Sequence, residues 1–141
     1  MKKRILVIGT DNSCRSAMMA ALIKHITFNR VDVINAGIEA QKLNPLTVKV
    51  LEEIGVDASG FEPTNFTKFI HEKFDIIITT SDKARETTRH FMGNITKIHK
   101  EFDDPRLVEG DEFEKENAFR ELRDEMNEWL NDFIVRHRLI V

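Results

Sequence analysis

The sequence predicts an α/β domain of three layers, a four-stranded parallel sheet flanked by helices, and three observations carry that expectation. Short apolar runs such as Ile5-Leu6-Val7-Ile8 and Ile76-Ile77-Ile78 have strand length and no polar alternation, the pattern of strands buried on both faces. Between such runs lie stretches with apolar residues three and four apart, the stripe of a helix with one inward face. The two kinds of segment alternate along the chain, which implies parallel pairing through right-handed crossovers.

Arg4 to Ile8 is the first strand. Met18, Leu22 and Ile26 lie four apart and predict a helix from residue 16 to about 28 with that stripe inward. Val31 to Asn35 reads as the second strand. Asn44-Pro45 opens the next helix, with Asn as cap and Pro at the first position; Leu46, Val50, Leu51 and Ile54 form its stripe and Gly55 suits its end. Phe66, Phe69 and Ile70 mark a short helix, and Phe74 to Thr79 is the third strand. Ser81 can cap a helix running to about His90, and Ile95 to His99 is a weaker fourth strand. Asp111, with Glu114 in the first turn, opens a long helix carrying Phe119, Leu122, Met126, Trp129, Leu130 and Phe133 at helical spacing. The 141 residues contain no repeat, low-complexity tract or long linker, so residues 1–141 are expected to form a single domain.

With 41% hydrophobic and 32% charged residues, the composition is that of a soluble globular protein. A net charge of −3 gives no electrostatic case for nucleic acid or an anionic membrane as partner. Lys2-Lys3-Arg4 reads as a solvated strand entrance with no apolar signal core behind it, and no apolar run approaches membrane-spanning length. A single cysteine, Cys14, excludes an internal disulfide and, with no signal segment, points to the cytoplasm. His71, His90 and His99 are scattered and His25 and His137 fall on helices, so histidine spacing offers no metal ligand set, and no cofactor is expected.

Chemistry concentrates in Gly9-Thr10-Asp11-Asn12-Ser13-Cys14-Arg15-Ser16, between the first strand and the first helix. A loop in that place can aim backbone N–H groups at one anion, with the helix dipole and a fork-shaped guanidinium adding complementary charge. The segment resembles the signature of the low-molecular-weight protein tyrosine phosphatases and of the thioredoxin-coupled arsenate reductases that share their fold: a cysteine, five residues, an arginine, then Ser or Thr. Asn35-Ala36-Gly37-Ile38, Gly55-Val56-Asp57-Ala58-Ser59-Gly60 and Phe102-Asp103-Asp104-Pro105 resemble further segments of that family, so the likeness spans essentially the whole chain. It implies a phosphotyrosine phosphatase I-like sheet of order 2-1-3-4, with the loop at the topological switch point beside strand one.

The resemblance also shows where the chemistry departs. Gly9 stands at the nucleophile's position, and glycine cannot attack phosphorus or arsenic. The stretch from Thr79 to Thr88, where the reductases carry two more redox cysteines, contains none, and the protein has no tyrosine to wall a phosphotyrosine site; Arg106 follows Pro105 instead. Asp11 replaces a usual glycine. Facing the cradle, its carboxylate would repel a bound anion about 4 Å away by roughly 4 kcal/mol; alternatively it adopts left-handed backbone and points outward.

The resemblance assigns anion binding to Thr10, Asp11, Asn12, Ser13, Cys14, Arg15 and Ser16, with Asn12 bracing the loop and Asp104 at the general acid's place. On the residues alone, Arg15 calls for an anionic partner, a ligand or an internal carboxylate such as Asp11. Ser16, with no thiolate to hold, reads as a helix cap. Cys14 reads as a buried inert thiol, with a redox-sensitive thiol beside Arg15 as the other reading. Asp104 is a vestigial acid or a binding carboxylate. The leading expectation is a catalytically silent member that binds a small oxyanion (phosphate, sulfate or arsenate) or a protein partner through residues 9–16. The alternatives are a divergent phosphatase or arsenate reductase using Asp11, Asp104 or Cys14, and an interaction module whose cradle Asp11 fills from within by pairing with Arg15.

Overall fold

The computed structural model describes residues 2–58 and 60–139; Met1, Ser59, Ile140 and Val141, and with them the ends of the expected 1–141 domain, lie outside the described residues. Four strands form one sheet in the order β2-β1-β3-β4: β1 is Arg4–Gly9, β2 Asp32–Gly37, β3 Ile76–Thr79 and β4 Thr96–His99. All three pairings are parallel, and the register joins Gly9 to Gly37, Ile8 to Thr79 and Thr79 to His99. The expected order and parallel pairing are therefore present.

The sheet separates two apolar layers. Ile5 and Val7 of β1, with Ile76 and Ile78 of β3, face the larger core built on α1 (Arg15–Ile26), α2 (Pro45–Glu52) and α4 (Glu112–Arg136). Leu6, Ile8 and Ile77 point the other way, onto Phe69, Phe74, Ala84 and Phe91. Alternate residues of one strand thus serve opposite layers, which is why β1 is apolar without interruption. Burying each such side chain contributes about 1.5–3 kcal/mol. β4 lies at the sheet edge and is half exposed, as its weaker apolar pattern implied.

Local boundaries follow the caps. Asn44 Oδ1 accepts from Leu46 N–H at 2.9 Å with Pro45 next in line, and Asp111 Oδ1 accepts from Glu114 N–H at 2.8 Å. Ser81 caps as expected, accepting from Ala84 N–H, but its helix α3 (Asp82–Arg85) tightens into a 3₁₀ turn over Glu86–His90 instead of continuing as α-helix. Thr87 and Thr88 hydroxyls donate back to the Ala84 and Arg85 carbonyls, competing with the α-helical ladder. The Phe66–Phe69 segment is likewise a 3₁₀ turn, and Ile54 falls beyond the end of α2 and is exposed.

Helix α1 corrects the sequence expectation most clearly. Instead of one stripe of Met18, Leu22 and Ile26, every residue from Ser16 to Ile23 is buried, because α2 and α4 cover the side the sheet leaves open. Among the described residues, no helix is long and apolar enough to cross a membrane.

The loop between β1 and α1 lies tightly against the end of β2. A β-carbon on Gly37 would stand 2.8 Å from Asn12 N and 2.9 Å from Asp11 C, backbone atoms that cannot rotate away. Gly37→Ala is therefore expected to push the loop off β2 and to cost about 1–3 kcal/mol in urea denaturation. An unchanged midpoint would show that the loop accommodates the methyl freely.

Candidate functional site

The chain leaves β1 at Gly9 and enters α1 at Arg15, and the intervening backbone is tied down from outside. The Thr10 carbonyl accepts from Ile38 and Glu39 N–H at 3.0 and 2.9 Å, the Asp11 carbonyl from Gln41 N–H at 3.1 Å, and the Ser13 carbonyl from Asn44 N–H and Thr47 Oγ1, both at 3.1 Å. Asn35 Nδ2 donates to the Asn12 carbonyl at 3.1 Å. Carbonyl and N–H of a peptide point in opposite directions, so a loop whose carbonyls face outward turns N–H groups toward its inner side. A loop held in this way is able to offer N–H groups to an anion.

Asn12 is the brace the sequence suggested. It, not Asp11, takes the left-handed conformation, with φ of 51°, and its side chain accepts from Gln41 N–H at 3.3 Å while facing the Glu62 carbonyl. Asp11 instead folds back on the loop. Its Oδ1 accepts from Ser13 N–H at 3.0 Å and from Ser13 Oγ at 2.9 Å, so a loop N–H that could meet a ligand already meets a carboxylate. The Asp11 side chain is 8% exposed and its Oδ2 contacts Arg106 Nη1.

Arg106 is the residue that sequence reasoning left without a role. Its Nε and Nη2 grip Asp104 at 3.1 and 2.8 Å, its N–H donates to Asp104 Oδ1 at 3.0 Å, and its remaining nitrogen reaches Asp11. One guanidinium thereby fastens the Asp-Pro segment to the loop between β1 and α1, using the bidentate geometry suited to a carboxylate. The expected Asp11–Arg15 pair is replaced: Arg15 Nη1 donates to the Phe102 carbonyl at 3.0 Å and Nη2 lies 3.7 Å from Asp104 Oδ2. Phe102 can hold that carbonyl in place because its ring is buried edge-on against Trp129 of α4, which stacks in turn on Phe133. Burial alone would push the Asp104 carboxyl up, but the hydrogen bonds and charge of Arg106, with the charge of Arg15, hold it below the ordinary range and raise Arg106. Only the position of an arginine directly after the Asp-Pro dipeptide hinted at this.

At Gly9 the space beside the strand is filled from the helix. A β-carbon on Gly9 would stand 2.7 Å from Ser16 Oγ, 2.8 Å from Ser16 Cβ and 3.3 Å from Thr80 Oγ1. Ser16 is not a helix cap: Cys14 holds that place without a side-chain bond, α1 begins one residue before Ser16, and the buried Ser16 hydroxyl has no hydrogen-bond partner among the described residues. Cys14 is buried, 3.5 Å from Ser13 Oγ, and burial pushes its thiol pKa up despite hydrogen bonds from Ser13 and Thr47 and the charge of Arg106. Such a thiol holds little thiolate at neutral pH.

Thr10 Oγ1 donates to Ser81 Oγ at 2.9 Å and, with Arg15, Asp104 and Arg106, lines a shallow pocket of about 340 Å³. Asp82 and Glu101 border the same pocket. Histidine spacing alone gave no ligand set, yet the fold brings His99 to these two carboxylates, with the donor atoms of all three within 4.8 Å of one another. The missing signal lay in acidic residues on neighbouring elements.

The family model of the low molecular weight phosphotyrosine protein phosphatases matches residues 4–139. An arsenate reductase of Halalkalibacterium halodurans is 36% identical over 132 residues, covering 94% of this chain and 95% of that protein. Among solved structures, an arsenate reductase in the oxidized state superposes with a TM-score of 0.80 at 20% identity, covering 95% of this chain and 98% of the other. Vibrio vulnificus Wzb in complex with benzylphosphonate superposes with a TM-score of 0.78 at 18% identity, covering 96% and 99%. From the strand-loop-helix cradle to the Asp-Pro segment, and by similarity along almost its full length, the chain belongs to the low molecular weight phosphotyrosine protein phosphatase family.

Proposed function

We propose that this chain is a catalytically silent member of its family that acts by binding, through residues 9–16, a small oxyanion or an acidic group on a protein partner. The observation that carries the reading is the packing of Ser16 against Gly9, which leaves the nucleophile's position without a nucleophile and without room for a β-carbon. The mechanism of thiol-dependent phosphatases and reductases needs a covalent bond at that place. Cys14 does not substitute for it, being buried with a raised pKa. Asp104 does not serve as a free acid, being clamped by Arg106.

The Asp11 contacts favour the form of this reading in which the cradle is closed from within. An incoming oxyanion must displace the carboxylate from Ser13 N–H, which weakens binding without abolishing it. The relatives named arsenate reductases, and Wzb with its bound benzylphosphonate, make oxyanions the first ligands to try. Turnover of an aryl phosphate, and of arsenate with thiol donors, is expected to stay at the protein-free level. Phosphate titration followed by NMR is expected to move the Asn12 to Ser16 amides at millimolar concentration, and at lower concentration in Asp11→Asn. Turnover that disappears in Asp11→Asn, Asp104→Asn or Cys14→Ser would overturn the silent assignment, and no shift at millimolar anion would remove the oxyanion.

A further inference from the structure

We propose that Asp82, His99 and Glu101 form a binding site for one divalent transition-metal ion of the zinc class, opening onto the pocket beside Arg15. The site arises from the sheet. β3 and β4 are neighbours with Thr79 opposite His99, so the chain leaving β3 toward α3 places Asp82 over the end of β4, and Glu101 follows two residues after His99.

The ring of His99 is held on both sides. Its Nδ1 lies 2.8 Å from the hydroxyl of buried Thr79, and its Nε2 lies 3.1 Å from Asp82 Oδ1 and 3.8 Å from Glu101 Oε2. A tetrahedral ion with ligand bonds of about 2.0–2.1 Å sets its donor atoms roughly 3.3 Å apart, and these two separations bracket that value. Fixing one imidazole nitrogen with a hydroxyl so that the other points outward is the orientation a metal-bound histidine requires. The two carboxylates that meet at Nε2 repel one another when both are ionised, and a dication offsets that repulsion while matching their combined charge.

The donor set of one imidazole nitrogen and two carboxylate oxygens selects a borderline ion such as Zn²⁺ over Ca²⁺, which takes six to eight oxygens. His99 is mostly covered, whereas Asp82 and Glu101 are open to solvent, so an ion can reach them from the surface. Asp82 and Glu101 also line the pocket that holds Thr10, Arg15 and Arg106.

The test is Zn²⁺ binding to the chelator-treated full chain by calorimetry, with Co²⁺ absorption as a report of the ligands. One equivalent is expected, bound at least ~10-fold more weakly in His99→Gln, Asp82→Asn and Glu101→Gln. Thr79→Val keeps all three donors and is expected to lose about 10-fold through the freed ring, while His71→Gln, an exposed histidine elsewhere, changes nothing. Amide NMR spectra confirm that each variant is folded. No uptake at millimolar Zn²⁺, undiminished uptake in His99→Gln, or a thiolate charge-transfer band from Cys14 in the Co²⁺ form would each overturn the site.

Discussion

Gly9→Cys is expected to destabilise the protein and to recover no phosphatase activity. The new β-carbon would enter the space held by Ser16 Oγ and Cβ, at 2.7 and 2.8 Å, between a strand and a helix that are both fully buried there. Overpacking of this kind costs about 1–3 kcal/mol, read as a lower urea midpoint. Adding Ser16→Gly removes both clashing atoms at a helix-propensity cost of about 1 kcal/mol, so the double variant should be more stable than the sum of its parts. Neither should turn over an aryl phosphate, since Asp11 still holds Ser13 N–H and Arg106 still holds Asp104. Strict additivity in the urea midpoints would show that residues 9 and 16 do not compete for space, and robust turnover by Gly9→Cys would show that only the thiol was missing.

Arg106→Met should cost about 3 kcal/mol at neutral pH, the low end of the range for stripping the partner from a buried charge, because Arg106 is itself one-third exposed. Both carboxylates lose Arg106 at once, Asp104 keeping only the more distant Arg15 at 3.7 Å, and the Asp11 and Asp104 side chains are only 8% and 9% exposed. The pH dependence follows from Asp104, whose folded pKa is lowered chiefly by Arg106 against the opposing effect of burial. A depressed carboxyl pKa stabilises the fold above the unfolded value of about 3.9 and loses that contribution as pH falls through the lower, folded value. The penalty of Arg106→Met should therefore be full at about pH 6–7 and shrink as pH falls below about 4, followed by thermal melts. A penalty that stays constant down to about pH 3 would assign the effect to packing of the arginine stem instead.

The sequence made the secondary structure legible wherever the signal was local. Asn44-Pro45 and Asp111 with Glu114 are caps whose hydrogen bonds span two or three residues, and both appear where expected. Where the outcome depended on neighbours, it was not legible. The burial of Ser16 to Ile23 on all sides reflects α2 and α4, whereas the 3₁₀ turn after Arg85 is a local outcome, set by Thr87 and Thr88 hydroxyls bonding carbonyls three residues back, that apolar spacing does not register.

In the site, the sequence located the loop, with Gly9 at its start and the charge of Asp11 within it, but not the partner of any charge. Asp11 pairs with Arg106, from a residue 95 positions away, and Arg15 turns to Phe102 and Asp104. Ser16 gives up the capping role that its residue type favours, because the helix starts a residue earlier and its hydroxyl lies against Gly9.

By itself, then, the sequence determined the strand order through the family likeness, the place of the loop between β1 and α1, and the glycine at its start. Each of these rests on residue identity or on apolar spacing along a continuous segment. Only the tertiary structure decided that Ser16 packs against Gly9, that Arg106 ties Asp11 to Asp104, and that Asp82, His99 and Glu101 converge. These depend on distances between segments remote in sequence, and ion pairs and close packing act over a few ångströms that spacing along a chain does not encode.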